Sequence, residues 1–252
     1  MSDRKLDQHF VINEKVLRRI LELAELNKEE VVLEIGAGKG NLTKLLSEKA
    51  KKVYAIEMDE ALFIELKKLN KNVVPIFGNA LKINFPEFDK IVSNIPYSIS
   101  EPLIQKLLHY NFKLGVLLVS EKFGNKLLGR KRTKLSLIAE AFFEIEPRDL
   151  VAPENFEPRP KVFSRIIVLK PKKSDLRELV FREFVKQRDK KVKNALREAI
   201  IKANMALGKR VTKREARAII GDFGMDKKVQ NLNLKELEII EEFIFRKIYP
   251  KM

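Results

Sequence analysis

From residue 31 the chain alternates short β-branched apolar runs with segments of helical spacing. VVLEIGA (31–37), KVYAIEM (52–58), NVVPIFG (72–78), KIVSNI (90–95) and LGVLLVS (114–120) have strand length, and NLTKLLSEKA, EALFIELKKL and SEPLIQKLLHY between them have helical periodicity. Strand, helix, strand in succession predicts an α/β domain on a doubly wound, mostly parallel sheet. Two later segments, AFFEIEPRDLV and VFSRIIVLKP, alternate like an antiparallel pair and are expected to close one edge of that sheet.

After KPKKS the pattern changes. DLRELVFREFVKQ, KKVKNALREAIIKAN, TKREARAIIGDF and NLKELEIIEEFIFRKIY all have helical spacing, with no strand candidate among them. The expected boundary is Pro171 to Ser174, giving an α/β domain over 1–170 and a small all-helical domain over 171–252. Charge sharpens this division. The chain carries 51 Lys and Arg against 35 Asp and Glu, a net +16. Residues 171–252 hold 22 basic and 12 acidic side chains, so much of the excess lies in the helical part. Such a balance points to a polyanionic partner, above all nucleic acid. A charge-rich thermophilic surface would look similar in composition but would not need the excess.

There is no cysteine, and the two histidines, His9 and His109, are far apart, so no disulfide and no metal site is expected. The polar N-terminal segment and the lack of any long apolar run predict a cytoplasmic protein with no membrane partner. Nothing reads as a dimer seam, and a monomer is expected.

Chemistry concentrates at the carboxyl ends of the predicted strands. Gly36, Gly38 and Gly40 follow the first strand and precede a helix starting near Asn41, which lets backbone approach a ligand closely. The loop lacks the Gly-Lys-Ser/Thr of a Walker A loop and fits the dinucleotide pattern poorly, because position 41 is Asn. Glu57 ends the second strand about twenty residues on, where a doubly wound fold places the carboxylate that accepts ribose hydroxyls. FGNALK ends the third strand and NIPYS (94–98) the fourth, so four loops are expected to share one crevice.

EIGAGKGNLT, IEMD and NIPY resemble the first, second and fourth motifs of S-adenosylmethionine-dependent adenine-N6 methyltransferases. KLDQHFVIN near the N-terminus, NFEPRPKVFS (155–164) and FVKQRDKKVKNAL (184–196) narrow the resemblance to the KsgA-type ribosomal RNA adenine dimethyltransferases. That family modifies two adjacent adenosines in a hairpin loop near the 3′ end of small-subunit RNA. The resemblance implies a Rossmann-like class I methyltransferase sheet, S-adenosylmethionine as cofactor, and the assembling small ribosomal subunit as partner. It also implies that Gln8, His9, Phe10 and Val11 close over the cofactor and that Gly36, Ala37, Gly38 and Gly40 approach its methionine part. Glu57 would hold the ribose, with Met58, Asn79, Ala80 and Asn94 completing the cofactor residues. Asn94, Ile95, Pro96 and Tyr97 would hold the target base, and Phe156 would supply a second aromatic wall.

Two positions depart from the family pattern: Asp7 replaces its usual Gly, and Asn79 its usual Asp. The segment 121–136 is short for the family, and its basic residues, including Lys122, Lys126, Arg130 and Arg132, are candidates for RNA backbone contact. Lys186, Arg188, Lys190 and Lys191 are the corresponding candidates in the helical part. Competing readings are a resistance-type large-subunit RNA adenine methyltransferase, and a non-catalytic assembly factor or transcription-factor relative on the same fold.

Overall fold

The computed structural model describes residues 8–248. The chain forms two compact units, 1–131 with 143–171, and 132–142 with 172–252.

In the first unit the elements run β1 (Phe10–Val11), α1 (Glu14–Ala24), β2 (Val31–Ile35), α2 (Asn41–Lys49), β3 (Lys52–Glu57), α3 (Glu60–Leu66), β4 (Val73–Phe77), β5 (Lys90–Asn94), α4 (Ser100–Leu107), β6 (Leu114–Ser120) and α5 (Glu121–Leu127). After α6 (Lys134–Phe142), which belongs to the second unit, come β7 (Phe143–Val151), β8 (Phe156–Glu157) and β9 (Ser164–Pro171).

Seven strands make one sheet in the order β4-β3-β2-β5-β6-β9-β7. Pairing is parallel from β4 to β6. Strands β9 and β7 add antiparallel at the edge, as the alternation of their sequences implies. The β-branched runs are buried because helices cover them: Ile20, Ala24, Leu42 and Leu46 share a core with Val32, Val53, Val92, Val116 and Ile166.

Chain order reverses between β2 and β5, and here the sheet opens. These strands pair only through Val32 with Lys90 and Leu33 with Ile91. Beyond that, the Ile35 N–H donates to the Ser93 hydroxyl at 2.8 Å instead of to a strand carbonyl. A crevice at the carboxyl ends of neighbouring strands is where such sheets bind ligands.

Helix α1 and the pairing of β1 with β8 are features that the sequence pattern alone did not announce. Asn13 caps α1, accepting from the Lys15 N–H. Val11 faces Phe156 and Phe10 faces Glu157 in the short antiparallel pair.

The second unit comprises α6, α7 (Leu176–Lys186), α8 (Val192–Ala206), α9 (Lys213–Ile220) and α10 (Leu234–Phe243), followed by a π-helical turn over Ile244–Ile248. Asp175 with Glu178, Thr212 with Glu215, and Asn233 with Glu236 form capping boxes that start α7, α9 and α10. Val180, Phe181 and Phe184 of α7 and Leu196, Ala199 and Ile200 of α8 are fully buried.

Candidate active site

Three glycine-dependent turns and one proline bring the loops of the crevice together. Gly36, Gly38 and Gly40 have φ of 69°, 57° and 78°, a region that disfavours other residues. Gly38 has a second reason: a Cβ there would come within 2.6 Å of the Phe10 ring. Phe10 therefore lies on the glycine loop, held from β1 through the pairing with β8. A Cβ on Gly36 would press on Pro96 at 3.1 Å, so the first and fourth loops are in close contact.

Glu57 is buried, and backbone donors occupy both of its oxygens. Oε2 accepts from the Gly38 N–H at 2.8 Å, and Oε1 from Met58 at 2.8 Å and Asp59 at 2.9 Å. This bonding fixes the carboxylate and leaves one lone pair, on Oε2, for a hydroxyl ligand. Asp59 instead caps α3, accepting from the Leu62 N–H. Asn79 follows β4 and Gly78; its Oδ1 accepts from Leu81 N–H at 2.8 Å in a side-chain turn.

Asn94 ends β5. Its Nδ2 donates to the His9 carbonyl at 2.7 Å, which orients the amide and leaves Oδ1 to accept from a ligand. Tyr97 follows Pro96, whose φ is −53°. The Tyr97 hydroxyl is 2.5 Å from Ser164 Oγ, and its ring is 5.5 Å from the His9 ring. His9 Nδ1 in turn lies 2.7 Å from the Pro158 carbonyl.

The cleft among these groups is lined by Gln8, His9, Phe10, Gly36, Gly38, Glu57, Met58, Asn79, Ala80, Asn94, Ile95, Pro96 and Tyr97. Ile35, Ile56, Gly78, Ser98 and Ile99 line it too. All but Ile99 lie inside the segments EIGAGKGNLT, IEMD, FGNALK and NIPYS, so position within the motif is the signal that could have found them. Val11 is buried in the core, Ala37 and Gly40 shape the turn without lining the cleft, and Asp7 lies outside the described residues.

Phe156 requires a correction. It does not form a wall of the cleft: it is 1% exposed, opposite Val11 and packed in the core with Leu17, Ile20 and Val151. The β1–β8 pairing turns its ring inward, a constraint invisible in the motif itself.

Among the basic candidates, Lys122 and Arg130 are exposed in the first unit, while Lys126 is paired with Glu101. In the second unit Arg132 pairs with Glu238 and Glu241, Lys186 with Glu183, Lys190 with Glu198 and Lys191 with Asp226; Arg188 is exposed. Apart from the partly buried Lys186–Glu183, each of these pairs has at least one exposed partner and contributes little, so exchanging a carboxylate for a phosphate costs little.

Among the described residues no cluster of three or more His, Asp or Glu could hold a metal, and no helix is long and apolar enough to cross a membrane.

The sequence model of the family described as ribosomal RNA adenine dimethylase matches residues 2–240. The chain belongs to that family. It is 37% identical over 255 residues to a probable ribosomal RNA small subunit methyltransferase A of Methanococcoides burtonii, covering 95% of this chain and 92% of the relative. A protein of the same description from Methanosarcina acetivorans is 38% identical over 249 residues, covering 95% and 92%. The fold is similar to that of a dimethyladenosine transferase from Plasmodium falciparum, with a TM-score of 0.65 and 29% identity over 93% of this chain and 97% of that one. It is also similar to the 23S rRNA methyltransferase ErmE, with a TM-score of 0.62 and 22% identity over 93% and 99%. The first unit is thus a class I methyltransferase fold, and the enzyme belongs to a family whose reaction requires a methyl donor.

Proposed function

We propose that the cleft binds S-adenosylmethionine and that the enzyme dimethylates N6 of two adjacent adenosines in a hairpin loop near the 3′ end of small-subunit ribosomal RNA. The observation that carries this reading is the Asn94 amide, tied through Nδ2 to the His9 carbonyl with Oδ1 left to accept. The cofactor supplies an electrophilic sulfonium methyl when bound. Its fit rests on the glycine cradle under Phe10, the fixed and buried Glu57 for a ribose hydroxyl, and Asn79 and Ala80 for the adenine.

An adenine amine is a poor nucleophile because its lone pair is delocalised into the ring. The residues therefore need to fix its geometry rather than attack anything. The Asn94 oxygen and Ile95 carbonyl accept the two amine hydrogens, and Pro96 restricts the backbone that presents that carbonyl. Neutral acceptors suit a nitrogen that becomes cationic on methyl transfer. Tyr97 stacks on the extruded base, recovering about 1 to 3 kcal/mol of lost stacking, and its hydroxyl bond to Ser164 holds the ring against swinging away. Lys122, Arg130, Arg132, Lys186, Arg188, Lys190 and Lys191 serve the RNA backbone, which positions the substrate without reading its sequence.

Small-subunit RNA is favoured over large-subunit RNA by the relatives at 37% and 38% identity and by the FEPRPKVFS and FVKQRDKKVKNAL segments. The test is nucleoside mass spectrometry of unmodified small and large subunits, each incubated with the protein and labelled S-adenosylmethionine. N6,N6-dimethyladenosine at neighbouring positions is expected. Labelling confined to large-subunit RNA would overturn the substrate assignment.

A further inference from the structure

Lys106 spends its charge in an unusual place. It lies on α4, the helix that directly follows the Asn94–Tyr97 motif and its 3-10 turn. Its ammonium donates to the Ala80 carbonyl at 2.6 Å and to the Ile83 carbonyl, and it stands 4.0 Å from the centre of the Phe85 ring. Burial lowers its pKa, and no carboxylate opposes that effect. A lysine reaching for solvent would leave these carbonyls; this one instead holds the loop after β4 with the donors and the ring contact an ammonium has to offer.

The held carbonyl matters because of the peptide to which it belongs. The Ala80 C=O shares a peptide unit with the Leu81 N–H, and that N–H donates to Asn79 Oδ1 at 2.8 Å. A cation on the carbonyl polarises the peptide and strengthens the bond made by its N–H. The same turn is closed by Lys82 and Ile83 N–H groups donating to the Asn79 carbonyl at 2.8 and 3.1 Å. Asn79 and Ala80 are the cleft residues contributed by this loop after Gly78.

From this geometry we infer that Lys106 is a positioning residue for cofactor recognition, fixing the Asn79 amide and the Ala80 backbone through the Ala80–Leu81 peptide. The inference rests on the reading of the cleft as a nucleoside cofactor site. It makes α4 a single strut, with the base motif at its start and the adenine loop pinned to its last turn.

The experiment is calorimetric titration of S-adenosylhomocysteine into wild type, Lys106→Met, Lys106→Gln and Lys106→Arg, with steady-state methylation and hydrogen exchange on the same proteins. Lys106→Met keeps the apolar stem and removes the donors, so it is expected to raise Kd by about fivefold to tenfold, the worth of one or two lost bonds. KM for S-adenosylmethionine should rise in parallel while kcat at saturation changes by less than about twofold. Exchange at Leu81, Lys82 and Ile83 should accelerate. Lys106→Arg should restore wild-type affinity to within about twofold, and Lys106→Gln should fall between. A Lys106→Met protein that binds as wild type does, even with a lowered melting temperature, overturns the inference alone. A wild-type protein that binds no S-adenosylhomocysteine overturns the cofactor reading, and this inference with it.

Discussion

Two buried glutamates bracket strand β2, and the protein treats them differently. Glu30, at the amino end, is 6% exposed and meets the Lys90 ammonium at 3.0 Å. Lys90 also donates to the Ala24 and Glu25 carbonyls at the end of α1, so the buried ion pair is tied to the helix as well. Glu34, one residue before the carboxyl end, is 2% exposed and has no cation; its Oε2 lacks a hydrogen-bond partner among the described residues. It borders a small cavity shared with Phe10, Lys39, Asn41 and Asn94, while the Lys39 ammonium turns to Glu157 and the Phe10 ring. One end of the strand has its buried acid paired with a cation; the other carries open turns and a buried acid with no cation beside it among the described residues. Stability is concentrated at the first end and chemistry at the second.

The strongest way to break this comparison is to cut each end and find the same loss. Asn94→Ala is expected to lower methyl transfer by about a thousandfold, the upper range for removal of one well-placed polar contact to the reacting group, with the midpoint of urea unfolding almost unmoved. Mass spectrometry of the product nucleosides checks it; transfer lost while subunit binding is retained marks an enzyme, whereas a non-catalytic assembly factor would keep its function in this variant. Lys90→Met should do the reverse. It strands the Glu30 carboxylate in the interior and costs about 3 to 5 kcal/mol of stability, while kcat per folded molecule stays within about twofold. Adding Glu30→Gln should recover most of the lost stability, as removing both charges leaves no unpaired ion.

The two ends were also unequally legible in the sequence. Glycines, a terminal carboxylate and the Asn-Ile-Pro-Tyr run are short-range signals, and they located Gly36, Gly38, Glu57 and Asn94 in one cleft. The strands were legible for a similar reason: β-branched runs leave their mark residue by residue. Lys90 carries no local mark of its partners: Glu30 reaches it through the pairing of β2 with β5, and the Ala24 and Glu25 carbonyls through the packing of α1. Phe156 was misplaced for the same cause, since its motif is local but the pairing of β8 with β1 spans some 145 positions of chain. Helix α6 joins the second unit although its sequence sits inside the expected first domain, and nothing in its spacing reveals which core takes its apolar face.

A smaller effect should appear in the pH dependence of stability. Burial pushes the Glu34 carboxyl up to about 8, opposed in part by the Thr43 hydroxyl and reinforced by the charge of Glu57. In the unfolded chain the same group ionises near the ordinary 4.5. Between these values the folded protein holds a proton that the unfolded chain releases, so this group makes the fold less stable as pH rises from about 5 to 8. The slope is at most about 1.4 kcal/mol per pH unit, the value for one proton. Asp89 does not blur the window: the Val31 N–H and Lys113 hold its pKa below the ordinary carboxylate value. Urea midpoints at pH 5, 6, 7 and 8 should fall in wild type and fall less steeply in Glu34→Gln, the remaining slope including Glu241, whose carboxyl pKa is also raised by burial. A Glu34→Gln protein with the wild-type slope would mean that Glu34 is ionised after all and that the carboxyl end is better satisfied than its geometry indicates.

The smallest effect concerns Asn79, where the open end carries an amide in place of the carboxylate that the motif resemblance leads one to expect. The Asn79 oxygen already accepts from Leu81 N–H, and its remaining lone pair is the acceptor available to an adenine amine, while Nδ2 adds a donor with no role toward that amine. Aspartate would keep the Leu81 bond through one oxygen and present a second, charged acceptor in place of the donor. Hydrogen bonds to charged acceptors are stronger than those to neutral ones, and a gain of about 1 kcal/mol is expected, or about fivefold in affinity. Asn79→Asp should therefore tighten S-adenosylmethionine in a calorimetric titration and leave stability unchanged to within about 0.5 kcal/mol. A tenfold loss would show that the Nδ2 donor is used by the cofactor, through an adenine ring nitrogen that needs a donor rather than through the amine. The amide would then be a change in how the base is read, and the open end of the sheet would be adapted to its ligand at this position as closely as the closed end is adapted to Lys90.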